Sequence, residues 1–252
     1  MSNKDLNKER EIISGMFNRI APDYDFLNHL LSLNIDKYWR KKMTKFLVNY
    51  AAQNNNTQLE VLDIACGTGD SSIALYKSGF KVTGADISKN MLDIAIAKNE
   101  KLGQKGSKKL SGSKKNSLPE YHLASAEELP FADNSFDAVT ISFGIRNFNN
   151  RDKCLAEIYR VIKPNGVLTI LEFAKPRNPI IKFGYNLYFN NILPAIGGII
   201  SKDKGAYKYL ADSVEHFPKY EMFTKEIANA KFKETNYNIY SLGIAVLYIG
   251  EK

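Results

Sequence analysis

Short apolar runs alternate along this chain with stretches whose apolar residues recur every three or four positions. Val61-Leu62-Asp63-Ile64-Ala65 is such a run; the chain then turns at Gly67 and Gly69, and Ser71-Ser72-Ile73-Ala74-Leu75-Tyr76 has helical spacing. That order reads as strand, tight turn and helix. The alternation repeats downstream: strands are predicted over 60–64, 81–85, 120–124, 137–142 and 167–173, and helices over 71–78, 88–99 and 153–162, with Ser88 as a helix cap. Residues 167–173 are almost continuously apolar, as a strand buried on both faces requires. Strands at 238–241 and 244–249 are joined by too little chain for a crossover, so they pair antiparallel. The predicted class is α/β, a doubly wound, mostly parallel sheet of seven strands whose ligand site lies at the strands' carboxyl ends.

Three segments depart from the alternation. Over 8–50, Ile12, Ile13, Met16, Phe17 and Ile20 share one helical face; Ala21-Pro22 is expected to break it, and a second amphipathic run continues from Tyr24 through Trp39 to Leu47. This reads as an N-terminal helical cap. Residues 101–117 are rich in Lys, Gly and Ser, with almost nothing to bury, and are expected to form a mobile basic insertion. Residues 176–223 read as a helical lid, and a last helix is expected over 227–232. The stretch 180–200 is apolar, but Lys182, Asn186, Asn190, Asn191 and Pro194 interrupt it, so it is not read as membrane-spanning.

With 252 residues and 44% hydrophobic content, 1–252 is expected to fold as one domain. The formal net charge of +8 permits a nucleic acid or an anionic surface as neighbour, but much of the excess lies between Lys98 and Lys115. Cys66 and Cys154 lack metal-type spacing, and His29, His122 and His216 are scattered; no metal site is expected, and an intracellular setting is the simpler reading. The N-terminus has no continuous apolar core of the secretory kind.

The candidate chemistry gathers at the strand ends. Glycines at 67 and 69 let the backbone take otherwise barred conformations and let a ligand lie on it. A dinucleotide turn would carry a third glycine where Ser72 stands, so a nucleoside without pyrophosphate fits better. Asp86 ends the second strand, where an acid accepts from both ribose hydroxyls. Ser125, Ser142 and Glu172 fall at further strand ends, and Tyr24, Asp25 and Asn28 offer polar groups beside the cap helix.

The glycine turn, the ribose acid and the loop 123–131 before the fourth strand, in this order, resemble the class I S-adenosylmethionine-dependent methyltransferases, a Rossmann-like fold. Tyr24-Asp25-x-x-Asn28, Ile141-Ser142-Phe143-Gly144-Ile145-Arg146-Asn147, Leu171-Glu172-Phe173-Ala174-Lys175-Pro176 and Tyr207-x-Tyr209-Leu210-Ala211-Asp212-Ser213 closely resemble the quinone-biosynthesis C-methyltransferases. That family methylates a ring carbon of demethylmenaquinol or of the polyprenyl methoxybenzoquinol precursor of ubiquinone. The resemblance implies S-adenosylmethionine as cofactor. Thr68 and the 67–69 backbone would hold its amino acid end, Asp86 and Ile87 the ribose, Ser125 and Ala126 the adenine, with Ser142 beneath the sulfonium. Methylation of a ring carbon needs the neighbouring hydroxyl ionised, so Arg146 is expected to stabilise the ring oxyanion and Asn147 to orient the ring or a water, while a water or a carboxylate, with Asp25 and Glu172 as candidates, takes the proton. Tyr24, Asn28 and Tyr207 are then substrate contacts. Two departures from the family pattern are Cys66, where a small glycine-type residue is usual, and the 101–117 insertion.

A polyprenyl quinol as substrate implies an apolar path along 180–200 and reversible, peripheral contact with the inner face of the cell membrane, with a homodimer or larger complex open. The rival reading is methylation of RNA or another small molecule. Amine-modifying nucleic-acid enzymes carry a polar-Pro-Pro-aromatic turn where this chain has Ser142-Phe143-Gly144-Ile145, and cytosine-carbon enzymes need Cys after Pro, whereas Cys154 follows Lys153. No nucleic-acid partner is therefore expected. A non-catalytic nucleotide-binding module is the other rival, and methyl transfer to a quinol distinguishes it.

Overall fold

The alternation of short apolar runs and amphipathic stretches is realised as strands β1 (Glu60–Ile64), β2 (Lys81–Asp86), β3 (Glu120–Leu123), β4 (Phe136–Ser142), β5 (Ile162–Phe173), β6 (Lys233–Tyr240) and β7 (Ala245–Glu251). The helices are α1 (Asn3–Leu31), α2 (Ile35–Gln53), α3 (Asp70–Lys77), α4 (Lys89–Gly106), α5 (Arg151–Val161), α6 (Pro179–Leu187) and α7 (Glu221–Asn229). These come from a computed structural model, which describes residues 3–106, 117–188, 209 and 212–252. The strands form one seven-stranded sheet in the order β3-β2-β1-β4-β5-β7-β6. Pairs from β3 to β5 are parallel, and β7 runs antiparallel to both β5 and β6. The order reverses between β1 and β4, where a doubly wound sheet opens its ligand crevice.

Alternate side chains of the central strands feed two buried layers. Leu62, Ile64, Val139 and Ile141 pack on one face with Leu155 and Ile158 of α5 and with Phe223 and Ile227 of α7. Val61, Val82 and Leu247 pack on the other with Trp39, Met43 and Leu47 of α2 and Leu75 of α3. Among the described residues no helix is long and apolar enough to cross a membrane.

Four expectations are corrected. Pro22 does not break the cap: α1 runs through it to Leu31. Proline deprives the carbonyl four residues earlier of its helical donor, and here that carbonyl, of Asn18, accepts from Asn90 Nδ2 at 3.0 Å instead. The chain breaks at Leu33 and Asn34, whose φ values of 52° and 60° are left-handed, with Asn34 N–H donating to the His29 carbonyl at 2.7 Å. The basic insertion begins later than 101, because α4 continues to Gly106, its flank held by Asn99 Nδ2 donating to the Pro119 carbonyl at 2.7 Å; residues 107–116 lie outside the described residues. Strand β5 begins at Ile162, five positions before the predicted 167, and is irregular over that added stretch, where Asn165 stands at φ 62°. The last helix starts at Glu221, six positions before the predicted 227. Within the lid, α6 and a helical stretch at 212–216 are described, whereas Tyr207 and 189–200 lie outside the described residues.

Candidate active site

The two glycines of the β1–α3 turn have different physical reasons. Gly67, at φ 55°, has open space where a side chain would stand, the nearest atom being Tyr24 Cε1 at 4.0 Å. Gly69, at φ 83°, is closed: a Cβ there would lie 2.5 Å from Tyr121 Oη and 3.0 Å from Ala95 Cβ. Gly67 is therefore the residue across which a ligand can lie, and Gly69 lets β3 and α4 close beneath the turn. The neighbouring strand end is equally tight, since a Cβ on Gly144 would meet Ala65 Cβ at 2.5 Å. Ala65 and Phe143 turn out of β1 and β4 with left-handed φ of 52° and 59°.

Between these turns opens a cleft. Its floor is Ala65, Gly67, Ser142, Phe143 and Gly144; Asp86, Ile87 and Met91 form one wall and Ser125, Ala126, Glu127 and Cys154 another. Ile13, Phe17 and Tyr24 of α1 roof it. Ser14 Oγ donates to the Ile87 carbonyl at 3.0 Å and Ser88 Oγ to Asn18 Oδ1 at 2.7 Å, fixing the roof to the β2 end. Asp86 accepts from Gly67 N–H and Ser88 N–H, both at 2.8 Å, so one carboxylate ties both turns. Burial pushes its carboxyl above its ordinary value, and those backbone donors work against the rise. Ser142 Oγ accepts from Ser71 Oγ at 3.0 Å. Asn147, in the helical turn Ile145–Asn147, lines the cleft, and its Oδ1 is buried with no hydrogen-bond partner among the described residues.

Behind this surface Arg146 and Glu172 form a buried pair, Nη1 to Oε1 at 2.7 Å, their side chains 7% and 0% exposed. Glu172 also accepts from the backbone N–H of Arg146 at 3.3 Å and of Phe173 at 2.8 Å. The guanidinium donates in addition to the Phe143 carbonyl and to Ser213 Oγ and lies over the Phe173 ring. Neither Arg146 nor Glu172 lines the cleft, yet the arginine's charge reaches the Tyr24 hydroxyl. Burial raises that phenol, and Arg146, then a hydrogen bond with Asn28, work to lower it.

A second polar assembly holds the cap. Lys98 Nζ lies 2.6 Å from Asp25 Oδ2 and 2.6 Å from Asp70 Oδ1, and donates to Thr68 Oγ1 at 3.2 Å. His29 bridges Asp70 and Asp36 at 3.3 and 3.0 Å, and Arg40 donates to Ser71 Oγ at 2.8 Å. Burial works to raise the Asp70 carboxyl, but Lys98, Arg40 and His29 hold it below its ordinary value. The placement of Asp25 and Thr68 therefore departs from the expectation: the Thr68 hydroxyl donates to Asp25, and both side chains belong to this assembly and not to the cleft wall. Once α1 continues past Pro22, Asp25 faces α4 and meets its lysine.

The family model described as the ubiE/COQ5 methyltransferase family matches residues 3–252. The chain belongs to that family. It is 42% identical over 250 residues to a ubiquinone/menaquinone biosynthesis C-methyltransferase of Geotalea daltonii, covering 98% of this chain and 99% of that one. It is 41% identical to a demethylmenaquinone methyltransferase of Chlorobaculum parvum, covering 97% and 94%. Among solved structures, a possible histamine N-methyltransferase of Thermotoga maritima shares the fold at a TM-score of 0.62 and 18% identity, covering 94% of this chain and 98% of that one.

This ubiE/COQ5-family chain is an S-adenosylmethionine-dependent methyltransferase, and its cleft fits that cofactor. The open cradle at Gly67, the Asp86 carboxylate and the apolar faces of Ile13, Phe17 and Met91 suit a nucleoside bearing a short polar chain. Of the residues singled out from the sequence, Gly67, Asp86, Ile87, Ser125, Ala126, Ser142, Asn147 and Tyr24 come together on the cleft. Gly69, Thr68, Asp25, Arg146 and Glu172 stand behind it, and Asn28 bonds to Tyr24. Sequence reasoning missed Arg40, Lys98, His29 and Asp70; the Asp36–Arg40 pair at i,i+4 and an acid in the first turn of α3 were the available signals. It also missed Asp63, fully buried, which accepts from Ser72 and Thr140 at 2.6 and 2.8 Å and whose carboxyl burial raises to about 6.

Proposed function

We propose that the protein methylates a ring carbon of a polyprenylated quinol, demethylmenaquinol or the methoxybenzoquinol precursor of ubiquinone, at the inner face of the cell membrane. The observation that carries this reading is the adjacency, within Ile145–Asn147, of a cleft-lining side chain and a buried cation: Asn147 Oδ1 has no hydrogen-bond partner among the described residues, and Arg146 precedes it in the same turn. The near full-length likeness to quinone-biosynthesis C-methyltransferases supports the substrate class.

When bound, S-adenosylmethionine supplies an electrophilic methyl group on a sulfonium, which needs no metal. The chain must then ionise and align the ring. A ring carbon becomes nucleophilic when the neighbouring hydroxyl loses its proton. Asn147 Oδ1 accepts a hydrogen bond from the water that takes that proton, and the permanent charge of Arg146, behind the cleft, stabilises the oxygen anion that forms. Tyr24, its phenol raised by burial, stays protonated and serves as a donor. Glu172 holds three N–H donors and Asp25 holds Lys98, so each positions a neighbour, and water takes the proton. The roof of Ile13, Phe17 and Tyr24 shields the reacting centre, where alignment lowers the barrier by several kcal/mol.

The test is incubation of purified protein with S-adenosylmethionine and each quinol, read by mass spectrometry. The expected product is one methyl heavier with the added group on carbon. S-adenosylmethionine binding without methylation of either quinol overturns the substrate assignment.

A further inference from the structure

We propose that the outer face of the corner between α1 and α2 docks on an anionic lipid bilayer. Five large apolar residues stand exposed between positions 26 and 38: Phe26 at 60%, Leu30 at 38%, Leu33 at 73%, Ile35 at 39% and Tyr38 at 49%. Single exposed apolar side chains are ordinary, but this set is continuous. Phe26 and Leu30 lie one turn apart on α1, Leu33 leaves the left-handed link, and Ile35 and Tyr38 share a face of α2. A continuous apolar patch of this kind marks a contact surface.

Charge selects the occupant. Helix α2 carries Lys37, Arg40, Lys41, Lys42 and Lys45 against the single acid Asp36. Asp36 is buried and already bound by His29 and Arg40. Lys37 donates only to Asn34 Oδ1, and Lys42 Nζ lies 5.3 Å from the centre of the Tyr38 ring. Among the described residues, Lys41, Lys42 and Lys45 have no carboxylate in ion-pair reach. Unneutralised lysines around protruding apolar side chains match a surface that is negative at the headgroups and apolar beneath them. A second copy of this chain would set like charges against one another. A nucleic acid would engage the lysines but leave Phe26 and Leu33 in water.

The opposite face of α1 supplies Ile13, Phe17 and Tyr24 to the cleft, so docking lays the roof of the site against the membrane. That consequence rests on the quinol reading above; the surface argument does not. No covalent step is involved, and among the described residues no helix is long and apolar enough to cross the bilayer.

Flotation of the full chain with vesicles tests it, using phosphatidylcholine alone or mixed with phosphatidylglycerol. The expected result is binding to the mixed vesicles only, weakened by salt. Each lysine near such a surface contributes about fivefold in affinity, so the triple variant Lys41→Glu, Lys42→Glu, Lys45→Glu should bind at least tenfold more weakly. Leu33→Glu should also release the protein, and because Leu33, Lys41 and Lys45 are exposed and Lys42 is only partly buried, circular dichroism should show unchanged folding. Both variants should methylate a short-tailed, water-soluble quinol at the wild-type rate. The proposal is overturned if the wild type ignores the mixed vesicles or if the variants bind like wild type. It is equally overturned if Leu33→Glu instead dissolves a dimer, or if RNA and not lipid is retained. Vesicle binding is read without substrate, so lost quinol methylation with intact flotation refutes the catalytic reading alone.

Discussion

Replacing Arg146 with Met separates its structural from its chemical contribution. The substitution leaves Glu172, 0% exposed, as a buried carboxylate facing an apolar side chain. Removing one partner of a buried ion pair costs on the order of 3–5 kcal/mol, because the remaining charge is stranded. For a chain of this size each kcal/mol lowers the unfolding midpoint by roughly 2–4 °C, so a drop of about 6–20 °C is expected by circular dichroism. Loss of activity in such a protein is uninformative alone. The double variant Arg146→Met, Glu172→Gln resolves it: glutamine keeps an oxygen for the Phe173 N–H, gives up the longer 3.3 Å bond from the N–H of residue 146, and removes the stranded charge. It should regain most of the stability yet remain at least about tenfold slower in single turnover, because the charge that stabilises the ring oxygen anion from behind the cleft is gone. The single variant Glu172→Gln retains the guanidinium and should lose less than about tenfold. If the double variant is stable and turns over within a few-fold of wild type, Arg146 is a structural cation and the proposed role is refuted. If Glu172→Gln is as slow as Arg146→Met, Glu172 is the proton acceptor after all.

The remaining predictions address the floor, the latch and the buried acid. Gly67→Ala should weaken S-adenosylmethionine binding by calorimetry while costing only about 1–2 kcal/mol of stability for its left-handed backbone. Gly69→Ala, driven into Tyr121 and Ala95, should cost more stability, and Tyr121→Phe should recover part of it. Lys98→Met leaves Asp25 and Asp70 unpaired across the α1–α4 contact, so α1 should exchange amide hydrogens faster and cofactor binding should weaken roughly fivefold, with Lys98→Arg milder. Asp63 holds its proton more tightly in the native state, near 6, than its ordinary value of 3.8. Its contribution to stability is thus fully present below that ordinary value and is lost as pH rises through about 6. Urea midpoints of wild type against Asp63→Asn should diverge across that window by on the order of 2–3 kcal/mol, and a pH-independent difference refutes the raised value.

What was legible in the sequence is what a single strand, turn and helix determine among themselves. The β1 run, the Gly67 turn and the α3 spacing lie within twenty residues, and the repeat of that unit fixes which ends of the strands face the ligand. What escaped depends on partners far along the chain. Proline at 22 removes a donor, but the break expected from it is cancelled by Asn90, 72 positions from Asn18. The same two-glycine signal has two causes, because only the arrival of Tyr121 from β3 distinguishes Gly69 from Gly67. His29, Arg40, Asp70 and Lys98 each read as ordinary surface charges of amphipathic helices, and they become one assembly only where α1, α2, α3 and α4 meet over the β1 turn. Arg146 and Glu172 were both picked out, as cation and base. Their pairing follows from β4 and β5 being parallel neighbours in register, Ser142 beside Leu171, which brings Arg146, just beyond the end of β4, to Glu172 in the last residues of β5. A carboxylate so placed has its acidity set by the guanidinium and N–H groups it receives. Strand-end position therefore predicts that a residue belongs to the site more securely than it predicts what that residue does there.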